Sequence, residues 1–391
     1  MGCRMASLST TDMNDDKDVA AHSVVIHCTS PILDGRNTQQ QHGEYVGFAE
    51  DPTLSDPALP LLIDAREART VRIRDARTRT EAFTLPNDGF QLCEWPTQVA
   101  DFDDSEAVVR EYVPEMQGLV SAAMHASSAR GVQAVVVWDL CLRTSELDNE
   151  FQVAVQASDA QRAGSGLDTL APVSLVHADF FSPADVRRRL QQRWATPTDT
   201  LSTFMRADFA LSGLTASDLE ACVAGRARVV SVNVWRSIDR RNPVRRCPLG
   251  LCDPASLVRP RDELVPFQIV CPDASFAKAH VLAHQSDAHR WYHYPHMRDD
   301  ECLVFVSGDT AQRWPAVPHT SFDDPRTRDG DPPRRSIEAR CFVIFKDHVE
   351  QEEDSDKRRA SRSESGDRPA IVCCTSEIEH RLRYCGLSRH V

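Results

Sequence analysis

His177 and Asp179 stand two apart at the end of the apolar run "VSLVHADFF" (173–181). Side chains two apart on a strand share a face, so an imidazole and a carboxylate are offered side by side. Such a pair can fill two neighbouring positions of a metal ion. A second histidine completes a two-histidine, one-carboxylate set with three positions open, the donor set of non-haem Fe(II) oxygenases. His319, in "AVPHTSFDDP", is the candidate third ligand. Two other His-x-acid pairs occur, His42-Gly43-Glu44 in polar "QQQHGEY" and His348-Val349-Glu350 at the start of a charged segment. Only His177 ends a strong apolar strand, where a rigid ligand pair is expected.

A second group follows, fifteen residues after His319, in "RDGDPPRRSIEARCFVIF". On the strand expected there, Arg334, Ser336, Glu338 and Arg340 share one face, and Ile337, Cys341, Val343 and Phe345 share the other. A polar row opening a buried strand needs partners. A guanidinium fork beside a hydroxyl suits a carboxylate. His-x-Asp, a distant His and Arg-x-Ser are together the arrangement of 2-oxoglutarate-dependent oxygenases. In that scheme a dicarboxylate chelates iron at one end and meets Arg334 and Ser336 at the other. The structural alternatives are Asp179 as a cap for "FFSPADVRRRL", His177 as a satisfied core histidine, and Arg334 or Arg340 as ion-pair partners of Glu338 or of a distant acid. Ser182 is better placed than Asp179 for the cap.

The elements that must position these residues are mostly strands. "ALPLLIDARE", "TVRIRDA" and "EAFTLPNDGFQL" read as early strands separated by turns. "DSEAVVREYVPEMQGLVSAAMHASSARG" reads as a helix with Pro114 as a kink or break, and "SPADVRRRLQQRWA" as a second with Ser182 as N-cap and Pro183 in its first turn. "VQAVVVWDLCLR", "VVSVNVWRSI", "LVPFQIVC", "HRWYHYP", "ECLVFVSG" and "SIEARCFVIF" read as strands. Many strands without regular strand–helix alternation point to a sandwich, jelly roll or barrel. The expected class is mainly β with flanking helices (α+β). No GxGxxG or GxxxxGK loop is present, which argues against a nucleotide-binding core.

The chain has 391 residues and a net charge of −13. Global acidity argues against a nucleic-acid partner. No run of 18 apolar residues occurs, so no membrane span is expected. The start lacks a secretory h-region, and Ala6 departs from the myristoylation pattern that Gly2 and Cys3 suggest. The thirteen cysteines, "CPLGLC" (Cys247, Cys252) and Cys373–Cys374 included, lack zinc-site spacing and read as free thiols in the cytoplasm. The expected organisation is a disordered tail over 1–22, one domain over 23–346, a charged disordered linker over 347–369 containing "RRAS" at Ser361, and a C-terminal extension over 370–391.

One long block carries a resemblance. "VVSVNVWRSIDRRNPVRRCPLGLCDPASLVRPRDELVP", with Asn233, Val234, Trp235, Arg236, Pro248, Leu249, Cys252, Asp253 and Leu264–Pro266, resembles a hydroxylase/desaturase family of gibberellin-desaturase-like and cephalosporin-methoxylation-like proteins. "RWYHYPHMRDDECLVFVSGDT", "PHTSFDDP…PPRRSIEARCFVIF" and "DGFQL…DFDDSEAVVREYVPEMQGLV" are similar to further parts of it, so the resemblance covers roughly 44 to 346. Val176-His177-Ala178-Asp179 matches the family's first ligand motif, and His319 its second histidine. The resemblance implies a double-stranded β-helix (jelly roll) oxygenase that uses Fe(II), 2-oxoglutarate and O2 on a small organic molecule, with hydroxylation or desaturation as the outcome. Both Arg334 and Arg340 match the family motif for the cosubstrate, and Arg334 is preferred for its spacing to Ser336. Asn233 and Arg236 are candidate cofactor or substrate contacts, with a structural ion pair as the alternative for Arg236. Residues 274 to 290 and the tail beyond about 350 depart from the family pattern.

Two rival classes stand beside this one. "HVLAHQSDAHRWYHYPH" holds His280, His284, His289, His293 and His296, and the first two have the spacing of helical zinc ligands without the glutamate of HExxH. That suggests a zinc hydrolase or zinc-binding module. The other rival is a non-catalytic jelly-roll binding protein.

Overall fold

The strand Arg335–Phe345 (β15) shows why the late chain folds as sheet. Ile337, Ala339, Cys341, Val343 and Phe345 alternate into one apolar cluster, while Phe342 and Ile344 turn into another. β15 is central in a six-stranded sheet. Its order is β4 (Phe90–Glu94), β13 (Glu301–Asp309), β8 (Val229–Ser237), β15, β5 (Val132–Thr144) and β6 (Thr169–Leu170). The second sheet has nine strands. They run β1 (Ala21–Thr29), β3 (Arg66–Asp75), β12 (Trp291–His293), β9 (Leu249–Cys252), β14 (His319–Ser321), β7 (His177–Ala178), β11 (Phe276–Leu282), β10 (Leu264–Val270) and β2 (Tyr45–Phe48). The sheets lie face to face, because Trp235, Leu303 and Phe305 of the first share a core with Leu251 and Tyr292 of the second. The chain passes between sheets from β8 to β9, β12 to β13, β13 to β14 and β14 to β15.

The computed structural model describes residues 21–29, 45–48, 66–127, 131–147, 169–180, 182–195, 200–258, 263–270, 276–282 and 286–345. The expected linker, the C-terminal extension, most of the N-terminal tail and of "ALPLLIDARE", and His42, His284, His348, Ser361 and Cys373–Cys374 lie outside them.

Helices pack on both faces of the six-stranded sheet. α1 (Leu85–Asp88) is one turn inside the stretch read as the strand "EAFTLPNDGFQL". Pro86 suits a first helical turn, and the Asp88 carboxylate accepts from the Thr84 amide at 2.8 Å. Gly89 ends the turn at φ 79°, a left-handed conformation that favours glycine, before β4 begins. α2 (Ser105–Ala107), capped by Asp104, runs through a π-helical turn at Val108–Tyr112 into α3 (Val113–Ser127). Pro114 therefore neither breaks nor ends the helix, since the widened turn takes up the backbone bond that proline cannot donate. Met116, Leu119, Val120 and Met124 pack it on the outer face of the six-stranded sheet. α4 (Pro183–Ala195), α5 (Thr200–Leu211) and α6 (Ala216–Val223) cover the far end of its inner face with Val186, Leu190, Met205, Phe209, Leu219 and Cys222. The sequence reading found α4 but not α5 or α6. The capping box of Thr215 and Asp218 was the available signal for α6.

Two β-bulges govern what the six-stranded sheet presents inward. On β5 the register shifts opposite Arg340 and Cys341, leaving Trp138 as the extra residue. Ala134, Val136 and Trp138 face the helical end, and after the shift Asp139, Cys141 and Arg143 take the same face. On β13 the register shifts between Val306 and Gly308. Ser307 turns inward there, and Gly308 leaves room for α4 and the segment before it. A Cβ on Gly308 would sit 2.7 Å from Val186 Cγ2 and 2.9 Å from Phe180 Cβ. Gly308→Ala is therefore expected to lower the unfolding free energy by about 1–3 kcal/mol, measured by urea denaturation.

Candidate active site

The expected strand over 173–181 is shorter than its apolar run suggests. β7 is two residues, wedged between neighbours, with His177 paired to His319 on one side and to Val281 on the other. Leu175 makes only an isolated bridge to His27. Ser182 then caps α4, its hydroxyl accepting from the Asp185 amide at 3.3 Å, so the carboxylate of Asp179 is not the cap.

Direct cross-strand pairing places the rings of His177 and His319 4.3 Å apart, centre to centre. Nδ1 of His177 donates to the Leu175 carbonyl at 2.8 Å, and Nδ1 of His319 donates to the Val317 carbonyl at 3.0 Å. A carbonyl can only accept, so each ring keeps its proton on Nδ1 and offers the Nε2 lone pair. The ligating atoms of His177, Asp179 and His319 lie within 4.8 Å of one another. Among the described residues no other group of three histidines, cysteines or carboxylates is placed to hold a metal.

Electrostatics favour the ligand forms. Burial pushes the His177 imidazole down to about 4, with the neighbouring His319 ring adding to it, so no proton blocks Nε2 at neutral pH. Burial opposes ionisation of Asp179, but Arg340, the two imidazoles and Asn233 hold its carboxyl well below the usual carboxylate range. Asn233 Nδ2 donates to Asp179 Oδ2 at 2.7 Å and to Glu338 Oε1 at 2.9 Å, while Ser307 Oγ fixes its Oδ1 at 2.5 Å. Arg340 spans Asp139 at 2.6 Å, Glu338 at 3.0 Å and Asp179 at 3.5 Å.

Beside the three ligands lies a cleft of about 340 Å³, its mouth included, with His177, His319, Trp235, Phe305, Arg334 and Glu338 in its walls. Arg334 is buried, donates from Nη1 to the Cys247 carbonyl at 2.6 Å, and lies 5.5 Å from the Trp235 ring centre. Burial drives its pKa down to about 10. Its Nε and the Ser336 hydroxyl are buried without hydrogen-bond partners among the described residues. Each such group costs about 1–3 kcal/mol unless a ligand satisfies it. The residues thus fit both halves of an iron and 2-oxoglutarate pair: a His/His/Asp donor set, and an arginine with a hydroxyl left waiting for a carboxylate.

His177, Asp179, His319, Arg334, Ser336, Asn233 and Arg340 all come to this region. Arg236 does not. It pairs across with Ile337 on the outer face of the sheet, donates to the Trp95 carbonyl, and lies 4.0 Å from Glu115. It is a structural residue of the α3 layer and no contact of the cleft. Among the described residues, the histidines of 280–296 form no metal-holding group, and His284 lies outside them. His280 lies on strand β11, not on a helix. His289 pairs with Glu263 at 3.2 Å, His293 packs edge-on to Phe322, and His296 is exposed at φ 53°. The sequence reading missed Asp139 and Arg143, because strict alternation along "VVVWDLCLR" breaks at the bulge. It missed Trp235 as a wall of the cleft, although register with Glu338 places it there.

The sequence profile of the family described as "Oxidoreductase/YMDC permease-like domain" matches residues 62–211 and 202–344. Alpha-ketoglutarate-dependent dioxygenase phiK of a fungal species is 27% identical over 282 residues, spanning 71% of this chain and 85% of its own. Hydroxylase/desaturase efuI of Hormonema carpetanum is 27% identical over 290 residues, spanning 71% and 84%. Among solved structures, the iron and alpha-ketoglutarate-dependent endoperoxidase NvfI superposes with a TM-score of 0.58 at 20% identity, over 83% of this chain and 97% of its own, which shows a shared fold.

Asn233 is the group that aims Asp179. Asn233→Ala is expected to weaken Co(II) or Mn(II) binding about 10–100-fold, measured by calorimetry, with the fold retained by circular dichroism.

Proposed function

From the premise that this chain belongs to the Oxidoreductase/YMDC permease-like family, we propose that it is an Fe(II)- and 2-oxoglutarate-dependent oxygenase hydroxylating or desaturating a small organic secondary metabolite. The observation that carries the reading is the convergence of His177, Asp179 and His319 beside a cleft that holds two unpartnered donors, Arg334 Nε and Ser336 Oγ. The names of relatives such as phiK and efuI support the same chemistry. The repeated passage of the chain between two facing sheets supports a double-stranded β-helix.

In this reading His177, Asp179 and His319 hold the iron through their Nε2 and carboxylate atoms. Arg334 and Ser336 take the distal carboxylate of 2-oxoglutarate. Arg340 is committed to Asp139, Asp179 and Glu338, which favours Arg334 for that role. When bound, iron with 2-oxoglutarate and O2 supplies C–H abstraction driven by oxidative decarboxylation of the cosubstrate. The chain's own part is to orient and exclude. The Nδ1 bonds lock both imidazoles, and Asn233 and Arg340 keep Asp179 ionised and aimed. Phe305, 4.7 Å from the His319 ring centre, gives the cleft an apolar wall that limits water.

A cytoplasmic location, expected from cysteine usage, belongs to this proposal. No helix among the described residues is long and apolar enough to cross a membrane. Neither the zinc reading nor a purely binding role is favoured by an observation.

Fe(II)-loaded protein is expected to consume O2 and form succinate from 2-oxoglutarate. His177→Ala and Asp179→Ala should each cut that turnover by at least ~100-fold, while His280→Ala with His284→Ala leaves it unchanged. Turnover that survives loss of His177, or zinc held by His280 and His284, would sink the assignment.

A further inference from the structure

Arg143 is a second guanidinium in the wall of the same cleft. It stands directly opposite Ser336 in the β5–β15 register, so the two side chains share the inward face. Its side chain is 11% exposed. Nη1 donates to the Ala171 carbonyl at 2.8 Å, and Nε reaches Glu338 at a long 3.5 Å. Nη2 has no partner among the described residues. Ser336 Oγ on β15 and Arg334 Nε just before it are buried and have no hydrogen-bond partner among the described residues. Two buried donors without acceptors therefore lie beside the Arg143 guanidinium in one small volume.

The charges tell the same story. Arg143, Arg193, Arg334 and Arg340 stand with Asp139, Asp179 and Glu338, four positive against three negative. A divalent ion at the histidines adds two positive charges. That excess of positive charge favours an anionic ligand, and its far carboxylate belongs where donors lack acceptors. Arg143 and Arg334 are near enough that Arg143 lowers the pKa of Arg334. Two like charges held in one buried wall repel, and an anion between them turns that repulsion into attraction.

We propose that Arg143 is a second cationic anchor for the distal carboxylate of the cosubstrate, gripping it beside Ser336 and together with Arg334. The inference rests on the reading of the cleft as a 2-oxoglutarate site. It adds a residue that neither the Arg-x-Ser spacing nor the family resemblance marks.

The test is a comparison of two ligands by calorimetry on Mn(II)-loaded protein. One is 2-oxoglutarate; the other is 2-oxopentanoate, which keeps the metal-binding end and lacks the distal carboxylate. Arg143→Gln should weaken 2-oxoglutarate about tenfold and leave 2-oxopentanoate nearly unchanged, with Arg143→Lys recovering part of the loss. Equal weakening of both ligands would mean that Arg143 only braces Glu338 and Ala171, and the inference fails. It also fails if Arg334→Met loses 2-oxoglutarate while Arg143→Gln does not; the cleft reading then stands. Unmutated protein that binds the two ligands equally would overturn the cleft reading and the inference with it.

Discussion

Asn233 gives hydrogen bonds from a single amide nitrogen to Asp179 and Glu338, and Arg340 lies against both carboxylates and a third, Asp139. Carboxylates this deep between two sheets are tolerated only while each stays paired. Removing one partner from a buried pair typically costs about 3–5 kcal/mol. The network is therefore all or nothing, and its geometry sets that of Asp179. The imidazoles are held differently, through backbone carbonyls two residues before each ring. Two independent supports, one ionic and one main-chain, thus aim the three ligands at one point.

The same sheet solves the opposite problem on its other side. Ile337, Ala339, Cys341, Val232, Val234, Val304 and Val306 make a continuous apolar face under α3. Arg236 interrupts that face, and it is accommodated because the end of β4 and α3 supply the Trp95 carbonyl, Glu115 and the Tyr112 ring. A guanidinium on the outward face braces a helix, and one on the inward face can meet a ligand. Parity along the strand decides between the two, which is why Arg236 and Arg334 differ in role although both are almost fully buried.

Much of this was legible in the residues. The two-residue spacing of His177 and Asp179, the apolar run before them, and the Arg334-x-Ser336 row all follow from strand periodicity and survive in the fold. The polar and apolar faces of β15 were readable by alternation alone. What was not readable came from long-range contacts and from broken periodicity. Only partners far along the chain reduce β7 to two residues. The bulge at Trp138 shifts Asp139 and Arg143 inward, against any strict period of two. α5 and α6 fall in the chain between β7 and β8, and only α6 carried a local signal, its capping box. The spacing of His280 and His284 suits a zinc pair only on a helix, and His280 lies on the strand β11.

The brevity of β7 has a consequence for how such a protein can change. A two-residue strand gripped on both edges draws its position from β14 and β11 rather than from its own flanks. Loop closure becomes only slowly more costly with length, so the chain before Thr169 and after Phe180 can lengthen, shorten or be rebuilt with little effect on where His177 stands. Related chains can then diverge around β7 while His177 keeps its place between β14 and β11.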